Sequence, residues 1–207
     1  MDVPYKCIIM GDAKCGKTTF LRRHQFAEFK KEYVPTDRFE TNVDTLIFKT
    51  TRGPIRFDVW DWGKEDKELE RYPVDFYKDS RCAILMFDLA AADAFDTFPN
   101  YAVMMEQFCA DIPIAICGNK ADIKADFEFE LKPETFLGCG TDPEDRIYSE
   151  ISVKTNSNIN GPFLYLARSL FKDFKLEFVK LPPLMLPPPV SLASALAKIQ
   201  VVDRKHV

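Results

Sequence analysis

The sequence predicts an α/β fold in which a six-stranded, mostly parallel sheet is flanked by helices. Short apolar runs alternate with segments of helical periodicity, two of the runs flank the turn sequence at 51–54, and a glycine-containing loop follows the first run. Alternating strands and helices are typical of doubly wound sheets, and the hairpin adds an antiparallel edge. The 207 residues are 46% hydrophobic and 29% charged, which suits one globular domain with an extension.

Six segments are predicted as strands from their length and apolar content. They cover residues 5–10, 45–50, 55–61, 82–89, 112–117 and 147–151. The continuous apolar centre of the first segment predicts burial on both faces of a parallel sheet. Segments 45–50 and 55–61 alternate apolar and polar residues around the turn, so they predict a hairpin at one edge of the sheet.

Four helices are predicted between and after these strands. They cover residues 17–27, 100–109, 133–137 and 160–171. In the last helix Phe163, Leu166, Ala167 and Leu170 repeat at i, i+3, i+4 and i+7, which indicates one buried face. Residues 29–42 are mostly polar, contain a proline and show no periodicity, so they predict a mobile loop.

Charge and targeting signals exclude several classes of partner. The formal net charge of −4 supplies no basic field, so we expect no binding to nucleic acid or to anionic membranes. The sequence has no apolar leader and no lipid-attachment motif, and we therefore expect no membrane anchor. Six cysteines without a C-x-x-C pair predict reduced thiols in an intracellular protein.

The loop after the first strand carries the most specific motif, since residues 11–19 fit G-x-x-x-x-G-K-[ST]. In such a loop backbone N–H groups surround a β-phosphate, and the following helix directs its positive end at the same anion. Lys17 is expected to reach the β- and γ-phosphates, and the Thr18 hydroxyl to coordinate Mg²⁺. The candidate phosphate-binding residues are Gly11, Asp12, Ala13, Lys14, Cys15, Gly16, Lys17, Thr18 and Thr19.

A second motif, Asn119-Lys120-Ala121-Asp122, follows the fifth predicted strand and indicates a guanine site. The Asp122 carboxylate can accept two parallel hydrogen bonds from N1–H and N2–H₂ of guanine, whereas adenine offers no such donor pair. Asn119 can join this loop to the phosphate loop, and the Lys120 stem can cover one face of the base. After the last strand, Ser152, Val153 and Lys154 form a loop that can present a backbone N–H to the guanine O6.

With both motifs in place, the chain resembles the small GTPases of the Ras superfamily, and most closely the Ran family of nuclear-transport GTPases, over about residues 5–190. The resemblance is carried by residues 11–19, 31–36, 52–61, 82–88, 117–122 and 176–179. It implies a small G domain of the P-loop NTPase class over residues 1–178. A proline-rich linker and a C-terminal helix would occupy residues 179–207.

The resemblance also implies residue roles outside the two motifs. Phe29 would stack on the guanine opposite Lys120, although a core aromatic is an alternative for this residue. Tyr33 would close over the phosphates. Thr36 would supply the second hydroxyl ligand of Mg²⁺, and this contact would form only when a γ-phosphate orders its loop. Asp61 would support the coordination shell of the metal.

The chain departs from the family at the hydrolytic motif D-x-x-G-Q. The run here is Asp61-Trp62-Gly63-Lys64-Glu65, so the glycine that would bond the γ-phosphate comes one residue early. Either Lys64 or Glu65 takes the glutamine position, and neither can both donate to the phosphate and accept from water. We therefore expect weak or lost GTP hydrolysis and leave the catalytic residue open.

Further departures affect the phosphate loop and the segments that partners would contact. Ala13 and Lys14 replace two glycines, and residues 138–145 are acidic where the family is basic. The acidic tail of the family is missing. Instead, prolines at 182–189 precede an apolar stripe on one face of a predicted helix, made of Leu192, Ala195, Leu196, Ile199 and Val202.

Two functions remain open. The first is a monomeric Ran-like switch in nucleus and cytoplasm that binds GTP or GDP with Mg²⁺ and engages importin-β-family receptors and a Ran-type exchange factor. The alternative is a pseudo-GTPase that acts as a static binding module or decoy, with one nucleotide held permanently or with none. An ATP-driven kinase or motor is disfavoured by Asp122.

Overall fold

The computed structural model describes residues 3–27, 29, 41–62, 74–91, 97–109, 111–123 and 146–179. In chain order its elements are β1 Tyr5–Met10, α1 Lys17–Phe26, β2 Thr41–Thr50, β3 Gly53–Trp62, α2 Val74–Tyr77, β4 Cys82–Asp88, α3 Phe98–Cys109, β5 Ile114–Asn119, a 3-10 turn Ala121–Ile123, β6 Arg146–Glu150 and α4 Gly161–Phe171.

The six strands of these ranges form one sheet in the order β2-β3-β1-β4-β5-β6. The β2–β3 pair is antiparallel, and the other four pairings are parallel. The predicted α/β class with a mostly parallel sheet and a hairpin at one edge is therefore confirmed. Strand β1 has the bounds that its apolar run predicts, and helices α1, α3 and α4 lie within two residues of their predicted ends.

Several predicted boundaries were wrong. Strand β2 begins at Thr41 rather than residue 45, because its ladder with β3 continues until Thr41 lies opposite Trp62. The predicted loop 29–42 is therefore too long at its C-terminal end. Strand β5 continues through Asn119 because that residue stays in parallel register with Asp88.

Other predicted elements have a different outcome. The four-residue helix α2 was not predicted, since it is too short to show a period. The predicted helix at 133–137, the predicted tail helix over 192–202 and residues 30–40 of the predicted loop lie outside the described residues.

Side chains on the two faces of the sheet form two separate cores. Cys7 and Ile9 of β1 pack with Phe20 of α1 and Phe163 of α4. Ile8 and the other residues facing away from that layer pack with side chains of α2 and α3. Because consecutive residues of a strand point to opposite faces, the uninterrupted apolar run of β1 supplies both cores.

The segment after α4 returns to the hairpin. The Thr51 N–H donates to the Glu177 carbonyl at 3.0 Å, and the Val179 N–H donates to the Lys49 carbonyl at 2.8 Å. The ring of Phe178 stacks on that of Phe48, with centroids 4.6 Å apart. The described chain therefore ends beside edge strand β2.

Four cysteines of the described residues, Cys7, Cys15, Cys82 and Cys117, are buried free thiols. Burial raises the pKa of the Cys15 thiol, and the nearby Lys17 only partly opposes this. Such thiols behave as small apolar side chains rather than nucleophiles. In the part of the chain that the structure describes, no helix combines the length and apolar character needed to cross a bilayer.

His24 of α1 lies among three phenylalanine rings of the first core. Its ring centroid is 4.6 Å from that of Phe20, 5.1 Å from Phe163 and 5.7 Å from Phe48. Burial is the main cause that lowers the pKa of His24, and a 2.9 Å hydrogen bond from Nδ1 to the Phe20 carbonyl partly opposes it. The folded protein therefore favours neutral imidazole.

We expect His24 to make the protein less stable as the pH falls below about 6.5, the ordinary histidine pKa. In the pH range between the pKa of His24 in the folded protein and about 6.5, the unfolded chain binds more protons than the folded protein. Each unit of decrease in pH therefore lowers the free energy of unfolding by up to about 1.4 kcal/mol. Urea unfolding at pH 7.5 and 5.5 should show a smaller loss for His24→Leu than for the natural protein. His206→Gln is the control and should keep the natural pH dependence. Equal pH dependence in His24→Leu would contradict the prediction.

Candidate functional site

The loops that carry the candidate residues meet at the edge of the sheet formed by the carboxyl ends of its parallel strands, which we call the binding edge. Gly11 follows β1, Asp61 lies near the end of β3, Asp88 and Asn119 end β4 and β5, and residues 151–154 follow β6. Since β1, β3, β4, β5 and β6 are parallel neighbours, their carboxyl ends lie at the same edge. Open α/β sheets bind ligands at this position.

The phosphate loop has a backbone conformation that depends on its glycines. Gly11 has φ 140° and Gly16 has φ 104°, and Lys14 also has a positive φ of 64°. A Cβ atom on Gly11 would lie 1.8 Å from the Met86 carbonyl oxygen, and one on Gly16 would lie 2.4 Å from Asn119 Nδ2. The loop can therefore take this path only with glycine at both positions.

This loop fits a phosphate group. Helix α1 begins at Lys17, and its N-cap residue, Gly16, offers no side-chain hydrogen bond, so the positive end of the helix can accept an anion. Lys17 Nζ donates to the carbonyl oxygens of Gly11 at 2.9 Å and Asp12 at 3.0 Å. The ammonium group is thus held at the loop, where it can neutralise phosphate charge.

Two of the three predicted metal ligands are in contact. The Thr18 hydroxyl donates to Asp61 Oδ2 at 2.8 Å, and Asp61 is only 1% exposed. Its position is set by register, since Asp61 pairs with Ile9 of β1. A hydroxyl and a carboxylate are oxygen donors of the kind that Mg²⁺ prefers, so this pair fits the ion.

Asn119 links three loops through one buried amide. Its Nδ2 donates to the Cys15 carbonyl at 2.8 Å, and its Oδ1 accepts from the Val153 N–H at 3.2 Å. Asn119 is 3% exposed. The predicted link from Asn119 to the phosphate loop is therefore present. The loop after β6 was expected to donate to guanine O6, and that role remains a prediction.

Asp122 is held by the loop after β6. Ser152 Oγ donates to its Oδ1 at 2.6 Å and Lys154 Nζ to its Oδ2 at 2.9 Å. These two hydrogen bonds, the one from Ser152 first, hold the pKa of Asp122 below its ordinary value, so the side chain stays an acceptor. The Lys154 side chain is 50% exposed, and such pairs contribute little, so base N–H groups can replace it.

Two other predicted base contacts have clear positions. Lys120, with φ 65°, places its Nζ 2.5 Å from Asp88 Oδ2. Phe29 is half-buried against the first core, which is the alternative that the sequence left open, and its stacking on a base remains a prediction. Tyr33, Thr36, Gly63, Lys64 and Glu65 lie outside the described residues, and their roles also remain predictions.

Two residues that contact the phosphate loop were not predicted from the sequence. Thr97 Oγ1 donates to Asp12 Oδ2 at 2.5 Å, and Tyr101 OH donates to Asp12 Oδ1 at 3.1 Å. Their i, i+4 spacing at the start of α3 places them on one side of that helix. This spacing was the available signal, but it does not identify Asp12 as the partner.

A protein-family model described as Ras, Ras family, matches residues 6–172 of the chain. The match runs from β1 to the residue after α4 and includes the phosphate loop, Asp61, residues 119–122 and residues 152–154. All the loops that meet at the edge of the sheet therefore lie within the family match.

We expect Asn119→Ala to lower the free energy of unfolding by about 2 to 6 kcal/mol even without nucleotide. The change leaves the Cys15 carbonyl and the Val153 N–H without their partner, and each such buried group costs about 1 to 3 kcal/mol. Urea unfolding measures the loss. Asn100→Ala, at an exposed position of α3, is the matched control and should change stability by less than about 0.5 kcal/mol. Equal effects of the two variants would contradict the bridging role.

Proposed function

The chain belongs to the Ras family of small GTPases, and from this premise we propose that it is a Ran-type guanine-nucleotide switch with weak or lost intrinsic GTP hydrolysis. Ras-family proteins bind GTP and GDP, usually with Mg²⁺, and act as switches between the two states. The finer assignment rests on the loop at 119–122, on the altered hydrolytic motif at 61–65 and on the sequence of residues 176–179 after α4.

The observation that carries the guanine preference is the arrangement around Asp122. Its carboxylate is ionised and accepts from Ser152 on one oxygen, while the exposed Lys154 holds the other. A guanine base can present two N–H donors to this carboxylate. Adenine would leave it without those donors, and a polar site rejects such a ligand strongly.

The phosphate end of the site supports nucleotide retention. Lys17 neutralises the β- and γ-phosphate charge, and the N–H groups at the start of α1 bind the same oxygens. Thr18 and Asp61 would hold Mg²⁺, which when bound neutralises phosphate charge. Lys17 is bonded to the phosphate loop and Thr18 to Asp61, so we expect the loss of the glutamine to affect turnover rather than binding.

The Ran-type assignment is supported by two stretches that carry the resemblance, residues 52–61 and 176–179, which belong to segments in contact: the hairpin and the chain after α4. The Thr51 N–H donates to the Glu177 carbonyl, and Arg52 forms a 2.7 Å ion pair with Asp173. Direct contacts therefore join the hairpin to the segment after α4 that contains residues 176–179. On this basis importin-β-family receptors and a Ran-type exchange factor are the proposed partners, in nucleus and cytoplasm.

A direct binding measurement tests this assignment. The purified protein should bind an importin-β-family receptor when loaded with a non-hydrolysable GTP analogue and bind it far more weakly with GDP. Receptor binding that is absent in both states would remove the transport role and leave the Ras-family switch intact.

A second candidate is the static pseudo-GTPase. It is favoured by the hydrogen bonds from Lys17 to Gly11 and Asp12, which hold the loop in shape by contacts within the protein. Nucleotide extracted from fresh protein and an exchange assay with labelled GDP separate the two. Bound nucleotide that does not exchange, or none at all, would favour the static module.

Guanine selectivity should depend on Asp122. Calorimetry with GDP, ADP and XDP should give the tightest binding for GDP, and Asp122→Asn should shift the preference toward XDP because the amide offers a donor where the carboxylate only accepts. Asp173→Asn, remote from the binding edge, should keep the preference for GDP. Equal affinity for GDP and ADP in the natural protein would end the guanine assignment.

Hydrolysis should be slower than in a glutamine-bearing Ras-family protein by about 10-fold to 1,000-fold, the range for loss of one positioning group. Single-turnover hydrolysis of bound GTP measures this for the natural protein, Lys64→Gln and Glu65→Gln. A variant that gains rate locates the glutamine position. A natural rate equal to that of the glutamine-bearing protein would refute impaired hydrolysis.

If Lys64 lies over the γ-phosphate instead, Lys64→Gln should weaken GTP binding relative to GDP.

A further inference from the structure

Asp12 places a carboxylate inside a loop built to bind anions. Both of its carboxylate oxygens accept hydrogen bonds, Oδ1 from Tyr101 OH of α3 at 3.1 Å and Oδ2 from the hydroxyl of Thr97 at 2.5 Å. Thr97 precedes the first residue of α3, and its carbonyl accepts from the Asn100 N–H at 3.1 Å. The carboxylate therefore lies at the N-terminal end of a 12-residue helix, where negative charge is stabilised.

We propose that Asp12, Thr97 and Tyr101 form a clasp that positions the phosphate loop and sets how long a nucleotide stays bound. The clasp rests on the proposed nucleotide-binding function, and it makes α3 a second control point for release. Asp12 acts here as a positioning residue. It works through Lys17 and the loop backbone.

Asp12 connects α3 to the lysine that would neutralise the phosphates. While the Asp12 carboxylate is bonded to α3, its carbonyl oxygen accepts from Lys17 Nζ at 3.0 Å and from the Cys15 N–H at 3.4 Å. A shift of the first turn of α3 therefore moves the carbonyl that positions the ammonium group.

The opposite side of the loop has little freedom. Gly11 is packed so closely on the Met86 carbonyl of β4 that a Cβ atom would overlap it. Asn119 fixes the Cys15 carbonyl from β5. The clasp fixes the remaining side, so its loss would remove the contacts that hold the Asp12 side chain to α3 and the residue before it.

The clasp also offsets an electrostatic cost. A carboxylate beside a polyphosphate repels it, and the two hydroxyl donors together with the N-terminus of α3 stabilise the charge. Removing those donors should therefore weaken nucleotide retention in two ways, since the loop loses its position and the carboxylate loses its partners.

The central test is the dissociation rate of fluorescent GDP, chased with excess GDP. Thr97→Val and Tyr101→Phe should each release GDP roughly 10-fold faster, because each removes a hydrogen bond to a charged group. Thr97→Ser keeps the hydroxyl and should retain the natural rate. In an Asp12→Ala background Thr97→Val should add nothing further, since its partner is already gone.

Asp12→Asn distinguishes a tether from a charge effect. The amide can still bond both hydroxyls, which can rotate to accept or donate, so this variant should release GDP within about 3-fold of the natural rate while Asp12→Ala releases it roughly 10-fold or more faster. Equal acceleration by both variants would show that the charge matters and would overturn the tether.

Thr45→Val is the matched control, because it removes a similar 2.8 Å bond from a threonine hydroxyl to Asp58 on the hairpin. It should leave the dissociation rate unchanged. Natural rates in Thr97→Val and Tyr101→Phe would overturn the proposal, as would an equal acceleration by the control.

Hydrogen exchange without added nucleotide tests the clasp independently of the proposed function. Amides of residues 11–17 should exchange faster in Thr97→Val and Tyr101→Phe than in the natural protein and in Thr45→Val. If the natural protein binds no guanine nucleotide but this difference is present, the proposed function fails and the positioning of the loop stands. Unchanged exchange together with normal nucleotide binding would overturn the clasp alone.

Discussion

The position of β1 between two parallel neighbours is the constraint on which the binding edge depends. Pairing with β3 places Asp61 beside Ile9, and pairing with β4 places Met86 against the glycine that opens the phosphate loop. Because the phosphate loop and the loops at 119–122 and 151–154 start where parallel strands end, the sheet sets the distances between them. The loops need only short contacts to complete the site.

Those contacts follow a common chemical pattern. Among the described carboxylates at this edge, which is built to receive an anion, three accept from a hydroxyl. Asp12 accepts from Thr97 and Tyr101, Asp61 accepts from Thr18, and Asp122 accepts from Ser152. At Asp12 and Asp61 the neutral hydroxyl donors stabilise the carboxylate without adding a positive charge that would compete with Lys17 for the phosphates.

The parts of the site that lie within one short segment were readable from the sequence, because spacing alone fixes them. The phosphate loop and the residues from Asn119 to Asp122 belong to this group, as does the alternation that predicted the sheet. Contacts between distant segments were not readable. Thr97 and Tyr101 are 85 and 89 residues from Asp12, and no spacing rule connects them. The end of β5 was also missed, because its neighbour β4, rather than its own glycine and asparagine, decides where pairing stops.

The return of the chain to the hairpin determines where residues 180–207 are attached to the domain. Val179 is bonded to Lys49, which lies near the end of β2 that is opposite the binding loops, because β2 runs antiparallel to β3. Residues 180–207 therefore follow from a point at the end of the sheet opposite the binding loops. A segment of this length spans at most ~90–100 Å when extended, so it can reach the nucleotide edge. Any contact that residues 180–207 make there is intramolecular, so its effective concentration depends on the length of chain after Val179.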